Sequence, residues 1–162
     1  MRTLYCFVRN KNWRRPPFTL AVATLAAVLV AAGGCKKDKE EVFPQFPPPT
    51  WENQVTGQYT YSMTAVVTLP RELQSTWQAA DELAAFIGEE CRAVAEPVEA
   101  GGVRVFYLLI QGDATETEKI TFRYYNTTNS YIYVSDNSLQ FNPEGIYGTV
   151  DQPRALVMKP RK

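Results

Sequence analysis

The sequence predicts an all-β domain: a single immunoglobulin-like β-sandwich of about 7–8 antiparallel strands over residues 51–162, preceded by a signal peptide and a disordered linker. Two observations carry the fold. Apolar and polar residues alternate in several stretches, which is the period of a strand with one buried side. Turn residues interrupt those stretches roughly every 8–12 residues, the rhythm of a sandwich. A third observation sets the size. The 112 residues from Trp51 onward make one domain with one core, enough to bury roughly two-thirds of the unfolded surface.

The elements follow in order. Between Gln58 and Leu69, one face carries Tyr59, Tyr61, Met63, Ala65, Val67 and Leu69, and the other carries Thr60, Ser62, Thr64, Val66 and Thr68. Pro70 ends that strand. Val103 to Ile110 is apolar at nearly every position, between Gly101-Gly102 and Gly112-Asp113. It reads as a strand covered on both faces or central in its sheet. Lys119 to Tyr125 alternates with Ile120, Phe122 and Tyr124 inward, and 126–129 is a polar turn. Tyr131–Val134, Leu139–Phe141 and Ala155–Met158 are shorter strands.

Residues 71–95 admit two readings. Trp77 to Ile87 is rich in helix formers. Gly88-Glu89 instead suits a two-residue Gly-x turn, making a hairpin with strands at about 83–87 and 90–95. At most a short helical turn then lies between Pro70 and Ala80. One-to-one pairing across that turn sets Phe86 against Cys91, Ala85 against Arg92 and Ala84 against Ala93. If Phe86 and Cys91 face the core, the Cys91 thiol is buried and unreactive.

The stretch Asp81-Glu-Leu-Ala-Ala-Phe-Ile-Gly-Glu-Glu-Cys-Arg-Ala-Val-Ala95 resembles a hairpin of small β-sandwich modules in bacterial secreted and cell-surface proteins. Those modules read Asp-Glu-x-Ala-Ala-Phe, a tight turn, then Glu-Cys-Arg-Gly; this chain has Ala93 in place of the glycine. The flanking Ser62-Met63-Thr64, Lys119-Ile-Thr-Phe122 and Gly148-Thr-Val-Asp-Gln-Pro153 match in kind and order. The resemblance implies the hairpin, the sandwich and an envelope setting, and no mechanism.

The N-terminus has a different character. Residues 1–17 are basic, and Phe18 to Ala32 is apolar apart from Thr19 and Thr24. That is the length of a signal-peptide apolar region and short of the roughly 20 residues of a membrane-spanning helix. The run Leu29-Val-Ala-Ala-Gly-Gly-Cys35 resembles the lipobox of bacterial lipoproteins, with Ala32 where that family usually has a larger aliphatic residue. The resemblance implies cleavage after Gly34, lipidation of Cys35 and attachment through acyl chains to a membrane of the cell envelope, with the outer membrane the expected one. The competing reading is an uncleaved anchor helix with an incidental cysteine. Residues 35–50 hold the lipidated cysteine and a linker, charged and then Pro-rich, whose full extension is roughly 45 Å.

Charge and cysteine content exclude several functions. Residues 1–34 carry five bases and no acid, whereas residues 35–162 carry 12 bases and 17 acids, net −5. That balance offers no basic face for nucleic acid. There is no histidine, so the commonest general base and zinc ligand are missing. Cys91 is the one cysteine after Cys35, so the mature chain has no internal disulfide to form.

Three groups of residues invite functional readings. Asp113, Glu116 and Glu118 share one turn, and Asp81, Glu82, Glu89 and Glu90 flank the hairpin. Calcium needs about six to eight oxygens, and the Asp-x-Asp-x-Asp-Gly spacing is absent, so these read as solvated loops. Glu89 and Glu90 are strand neighbours that point to opposite faces, which is no acid–base pair for glycoside hydrolysis. Among the tyrosines, Tyr125, Tyr131 and Tyr133 are candidates for stacking on a sugar or a protein partner, with sheet packing as the competing reading. Arg92 suits a structural pairing with Glu90 or Glu82. The sequence therefore points to a membrane-anchored envelope lipoprotein displaying a non-catalytic interaction or structural module, with no cofactor. The alternative is a carbohydrate-binding lipoprotein of a glycan-uptake system. A third reading is a hydrolase whose carboxylates meet only in three dimensions.

Overall fold

The computed structural model describes residues 41–53 and 57–162. The leader, Cys35 and the charged first part of the linker lie outside the described residues, as do residues 54–56. The domain is an all-β sandwich. In chain order the described residues form β1 (Tyr61–Thr68), α1 (Arg71–Gln74), β2 (Glu82–Ile87), β3 (Glu90–Ala95), β4 (Val98–Ala100), β5 (Val103–Gly112) and β6 (Lys119–Asn126). β7 (Tyr131–Ser135), β8 (Leu139–Gln140), β9 (Ile146–Tyr147), β10 (Arg154–Ala155) and β11 (Met158–Pro160) follow. The count exceeds the expected seven to eight because residues 139–160 are cut into two- and three-residue strands.

One sheet runs β10-β1-β5-β4, with β9 also on β1, and the other runs β11-β7-β6-β2-β3, with β8 on β6. Pairing is antiparallel except that β9 and β10 lie parallel to β1, a correction to the all-antiparallel expectation. The alternation read in the sequence builds the core. Met63, Ala65 and Val67 of β1 and Phe106, Leu108 and Ile110 of β5 pack against Leu83, Ala85 and Ile87 of β2 and Ile120, Phe122 and Tyr124 of β6. β5 is central, but its outer face is open rather than covered: Tyr107 is 39 % exposed and Leu109 57 %.

The expected strand at 155–158 is two strands in different sheets. β10 pairs with β1, β11 pairs with β7, and the chain crosses between the sheets at Leu156. Leu156 is buried in the core, and its N–H donates to the Thr68 carbonyl at 2.9 Å. Gly148 makes the approach of this segment possible. Its φ is +81°, and a Cβ there would lie 2.3 Å from the Val66 carbonyl oxygen.

The hairpin of β2 and β3 forms with Gly88 at φ +61°, as a Gly-x turn requires. The only helical piece between Pro70 and Ala80 is the single turn α1, anchored by buried Leu73. Two details of the hairpin differ from expectation. Phe86 does pair with Cys91 and Ile87 with Glu90, but Ala85 then pairs with Ala93 and Ala84 with Val94. A bulge absorbs one residue of β3 and displaces Arg92 from the ladder. The second correction concerns the core face. Leu83, Ala85 and Ile87 point inward, so Phe86 and Cys91 face outward.

That outer face is covered by the linker's second half. Residues 43–53 run without regular structure across the β7-β6-β2-β3 sheet as a strap. Phe43 meets the Tyr131 ring edge-on at 5.9 Å. The Phe46 N–H donates to the Ser130 carbonyl at 2.8 Å, and its carbonyl accepts from the Tyr125 hydroxyl at 3.3 Å. Arg161 lies over the Phe46 ring. Trp51 meets Phe86 edge-on at 5.9 Å, and Asn53 Oδ1 accepts from the Val94 N–H at 2.7 Å. Three aromatic anchors and fixed Pro φ angles lower the entropy cost of holding an extended segment on a sheet. The strap therefore belongs to the same compact unit as the sandwich, which does not begin only at Trp51.

Candidate functional site

The strap ends at an open groove of about 530 Å³ between the edge of β3 and the β4-β5 hairpin. Its size falls within the range of small-ligand sites. Trp51 of the strap and Tyr107 of β5 supply aromatic walls, and Val94, Ala95 and Val98 supply apolar floor. Glu52, Glu82, Glu96 and Asn53 supply the polar groups. The side chains come together because β3 and β5 belong to different sheets whose edges converge here, and because Asn53 pins the strap to Val94.

Glu82 is the unusual member. One carboxylate oxygen, Oε2, is buried and has no hydrogen-bond partner among the described residues. Burial, and then the charge of Glu96, push its carboxyl above the ordinary carboxylate range. Acids beside aromatic rings suit a ligand that brings N–H or O–H donors, cationic or sugar-like.

A second polar cluster closes the far end of the sandwich. Displaced by the bulge, Arg92 is 6 % exposed and bridges the two sheets. Its guanidinium pairs with Glu116 at 3.0 Å and Glu90 at 3.3 Å, donates to the Gln111 carbonyl at 3.3 Å, and stacks 3.9 Å from the Tyr59 ring centroid. The Tyr59 hydroxyl donates to Glu90 at 2.5 Å. Of the two acids expected to pair with Arg92, Glu90 does and Glu82 does not; Glu116 is the partner the sequence did not indicate. On the outer face Glu89 pairs with Arg123 at 2.8 Å, and Arg123 lies over the Phe86 ring at 4.0 Å. That hydrogen-bonded pair holds the Glu89 carboxyl below its ordinary value.

The third cluster is inside the fold. Asp81, with 0 % exposure, accepts from the Tyr124 hydroxyl at 2.5 Å, the Gln78 N–H at 2.7 Å, and the Thr127 N–H and hydroxyl at 2.8 and 2.6 Å. Buried Asn126 donates to Thr76 and to the Tyr124 oxygen, both at 3.2 Å, and accepts from the Thr128 N–H at 2.9 Å. These bonds tie the β1-β2 connection to the β6-β7 turn. Burial first, then the bond to Asp81, push the Tyr124 hydroxyl far above its ordinary value.

The three tyrosines proposed for stacking do not form an exposed row. Tyr125 is buried beneath the strap and Tyr133 is buried in the core, while Tyr131 is half-buried against Phe43 and Tyr133. Strand periodicity locates aromatics but cannot tell a covered outer face from an open one. The 530 Å³ groove is bordered instead by the rings of Trp51 and Tyr107. Of the acidic turn, Glu116 is engaged by Arg92 and Asp113 accepts from the Thr60 N–H. Among the described residues no three acidic or thiol side chains converge in a way that holds a metal.

Cys91 is half-buried on the outer face, its Sγ 3.8 Å from the Ala93 carbonyl, and burial pushes the thiol up. It lies beside Phe86, on which Trp51 rests. Native protein is expected to react slowly with a maleimide at neutral pH, and Trp51→Ala to react several times faster while keeping its circular dichroism. Equal rates would show that the strap does not shield this thiol. Set against known proteins, the chain matches no family model, no curated protein and no solved structure.

Proposed function

We propose that the protein is a lipid-anchored component of a bacterial cell envelope, held in the outer membrane, whose sandwich is a non-catalytic binding module. The observation that carries the anchor is the sequence Leu29-Val-Ala-Ala-Gly-Gly-Cys35 after a basic, then apolar, leader. The binding role is supported by the groove at Trp51, Glu82 and Tyr107, where a buried carboxylate oxygen of Glu82 has no hydrogen-bond partner among the described residues. Elsewhere acids are spent on structure: buried Asp81 accepts four hydrogen bonds, and the more exposed Glu90 and Glu116 hold Arg92. The likeness of the β2-β3 hairpin sequence to modules of bacterial surface proteins agrees with this setting. A carbohydrate as the ligand is the second reading, favoured by aromatic walls beside carboxylate and amide acceptors in the same groove.

Metabolic labelling tests the anchor. Cells expressing the wild-type chain are expected to incorporate labelled palmitate into it and to process it to a faster-migrating form. Cys35→Ala is expected to do neither and to accumulate as precursor. Label in the Cys35→Ala chain, or none in wild type, would refute the anchor.

A further inference from the structure

We infer that the strap orients the sandwich on its membrane, with the β6-β7 turn toward the bilayer and the β2-β3 turn away from it; this rests on the lipid-anchor reading. The strap takes up most of the tether. Phe43 already packs on Tyr131, the Gln45 side chain donates to the Asn129 carbonyl at 3.3 Å, and Phe46 is bonded to Ser130. Only the seven residues 36–42 remain between Cys35 and this docked segment. Fully extended they reach about 25 Å, in place of the 45 Å of an unattached linker.

The attachment point lies at one end of the molecule. Phe43, Gln45 and Phe46 meet residues 129–131, at the β6-β7 turn. The turn at Gly101-Gly102 lies at this same end, because Thr68 bonds the Arg104 carbonyl while Thr76 bonds both Asn126 and Thr128. The turns at 88–89 and 113–118 are at the opposite end, about 30 Å away along strands of eight to ten residues.

Charge separates the two ends in the same sense. The tether end presents the uncharged turns Thr127-Thr128-Asn129-Ser130 and Gly101-Gly102, and its acids Glu41, Glu72 and Glu99 are matched by Arg71, Arg104 and Lys162. The opposite end gathers the five acids Glu89, Glu90, Asp113, Glu116 and Glu118 against the three bases Arg92, Lys119 and Arg123, a balance of 3 − 5 = −2. A bilayer carrying anionic headgroups repels that end and accepts the neutral one. The partner of the tether end is thus the anionic lipid surface holding the anchor. The acidic end and its Arg92 cluster face away from it.

The test uses the full chain, processed in cells and reconstituted into vesicles of phosphatidylethanolamine and phosphatidylglycerol in equal parts. In a Cys91→Ala background, a fluorophore is placed by Thr128→Cys or Thr115→Cys, both exposed turn positions. A headgroup-linked quencher is expected to quench the label at 128 several times more strongly than the label at 115. Phe43→Ser with Phe46→Ser, which undocks the strap, should bring the two towards equality. Vesicle-bound protein quenched equally at both positions, or more at 115, would overturn the orientation while leaving the anchor intact. Protein that does not float with the vesicles would overturn both. A difference that survives loss of Phe43 and Phe46 would overturn the strap as its cause.

Discussion

Asp81→Ala is expected to cost the fold about 3–5 kcal/mol, a large share of the roughly 5–15 kcal/mol that holds a domain of this size together. The reason is the donors left behind. The Tyr124 hydroxyl would lose its acceptor in the buried interior, and the Gln78 N–H and both donors of Thr127 would lose theirs at part-buried positions. Each stranded donor costs about 1–3 kcal/mol, and they do not add in full because the site relaxes. Asp81→Asn preserves the shape but turns an amide donor toward other donors, so about 1–3 kcal/mol is expected. Tyr124→Phe, which removes one donor and leaves Asp81 three, should be milder. Urea titrations of the 41–162 segment measure all three. An Asp81→Ala loss under about 1 kcal/mol would mean that the cluster does not pin the β6-β7 turn to the β1-β2 connection.

The same cluster gives the fold an alkaline limit. The folded state keeps the Tyr124 proton to a higher pH than the unfolded chain does, because burial and Asp81 raise its pKa. Its contribution is therefore fully present below the unfolded value of about 10 and declines as the pH rises beyond it. Above that point the slope from this group is about 1.4 kcal/mol per pH unit, and Tyr124→Phe should remove it.

Arg92→Met is expected to be the other severe change, at about 2–4 kcal/mol. Methionine preserves much of the stem, so the loss isolates the guanidinium. Glu116, whose side chain is 14 % exposed, would be left without its cation, and the tie from β3 to the Gln111 carbonyl of β5 would go. Arg92→Lys should recover only part of the loss. A lysine cannot engage Glu116, Glu90 and a carbonyl in one plane while stacking on Tyr59. In a double-mutant cycle, Arg92→Met with Glu116→Gln should show coupling of about 1–3 kcal/mol. Strict additivity would reduce the Arg92–Glu116 contact to a surface pair of little consequence.

These two clusters also mark where sequence reading succeeds and where it stops. The alternation of Met63, Ala65 and Val67 and of Ile120, Phe122 and Tyr124 identified inward residues correctly, because each strand has clear polar neighbours. Gly88 located the hairpin because a two-residue turn needs a positive φ there. In β2 the same logic fails. Leu83, Ala84, Ala85, Phe86 and Ile87 are all apolar and all buried, so periodicity does not choose a core face. Both faces are covered, one by the opposing sheet and one by the strap.

The strap itself was legible only as extended chain. Its Pro-rich composition forbids helix and sheet, but nothing in the spacing of Phe43, Phe46 and Trp51 tells where each ring will land. The bulge that displaces Arg92 is invisible for a similar reason. One extra residue in a strand leaves no mark in composition, and Glu116, its partner, is 24 positions away. Parallel β9 and β10, of two residues each, are too short to show any period at all. The groove was missed because its walls come from the strap, two strand edges and a hairpin, which only the folded chain brings together.

The most direct test of a lipid-anchored binding module is the mass of the N-terminal peptide of the mature protein, extracted from membranes and digested with trypsin. The expected peptide begins at Cys35 and carries the mass of a diacylglyceryl group, with or without a third acyl chain. A mature chain that begins at Met1 or at any other residue, or a Cys35 peptide at its unmodified mass, would contradict the account.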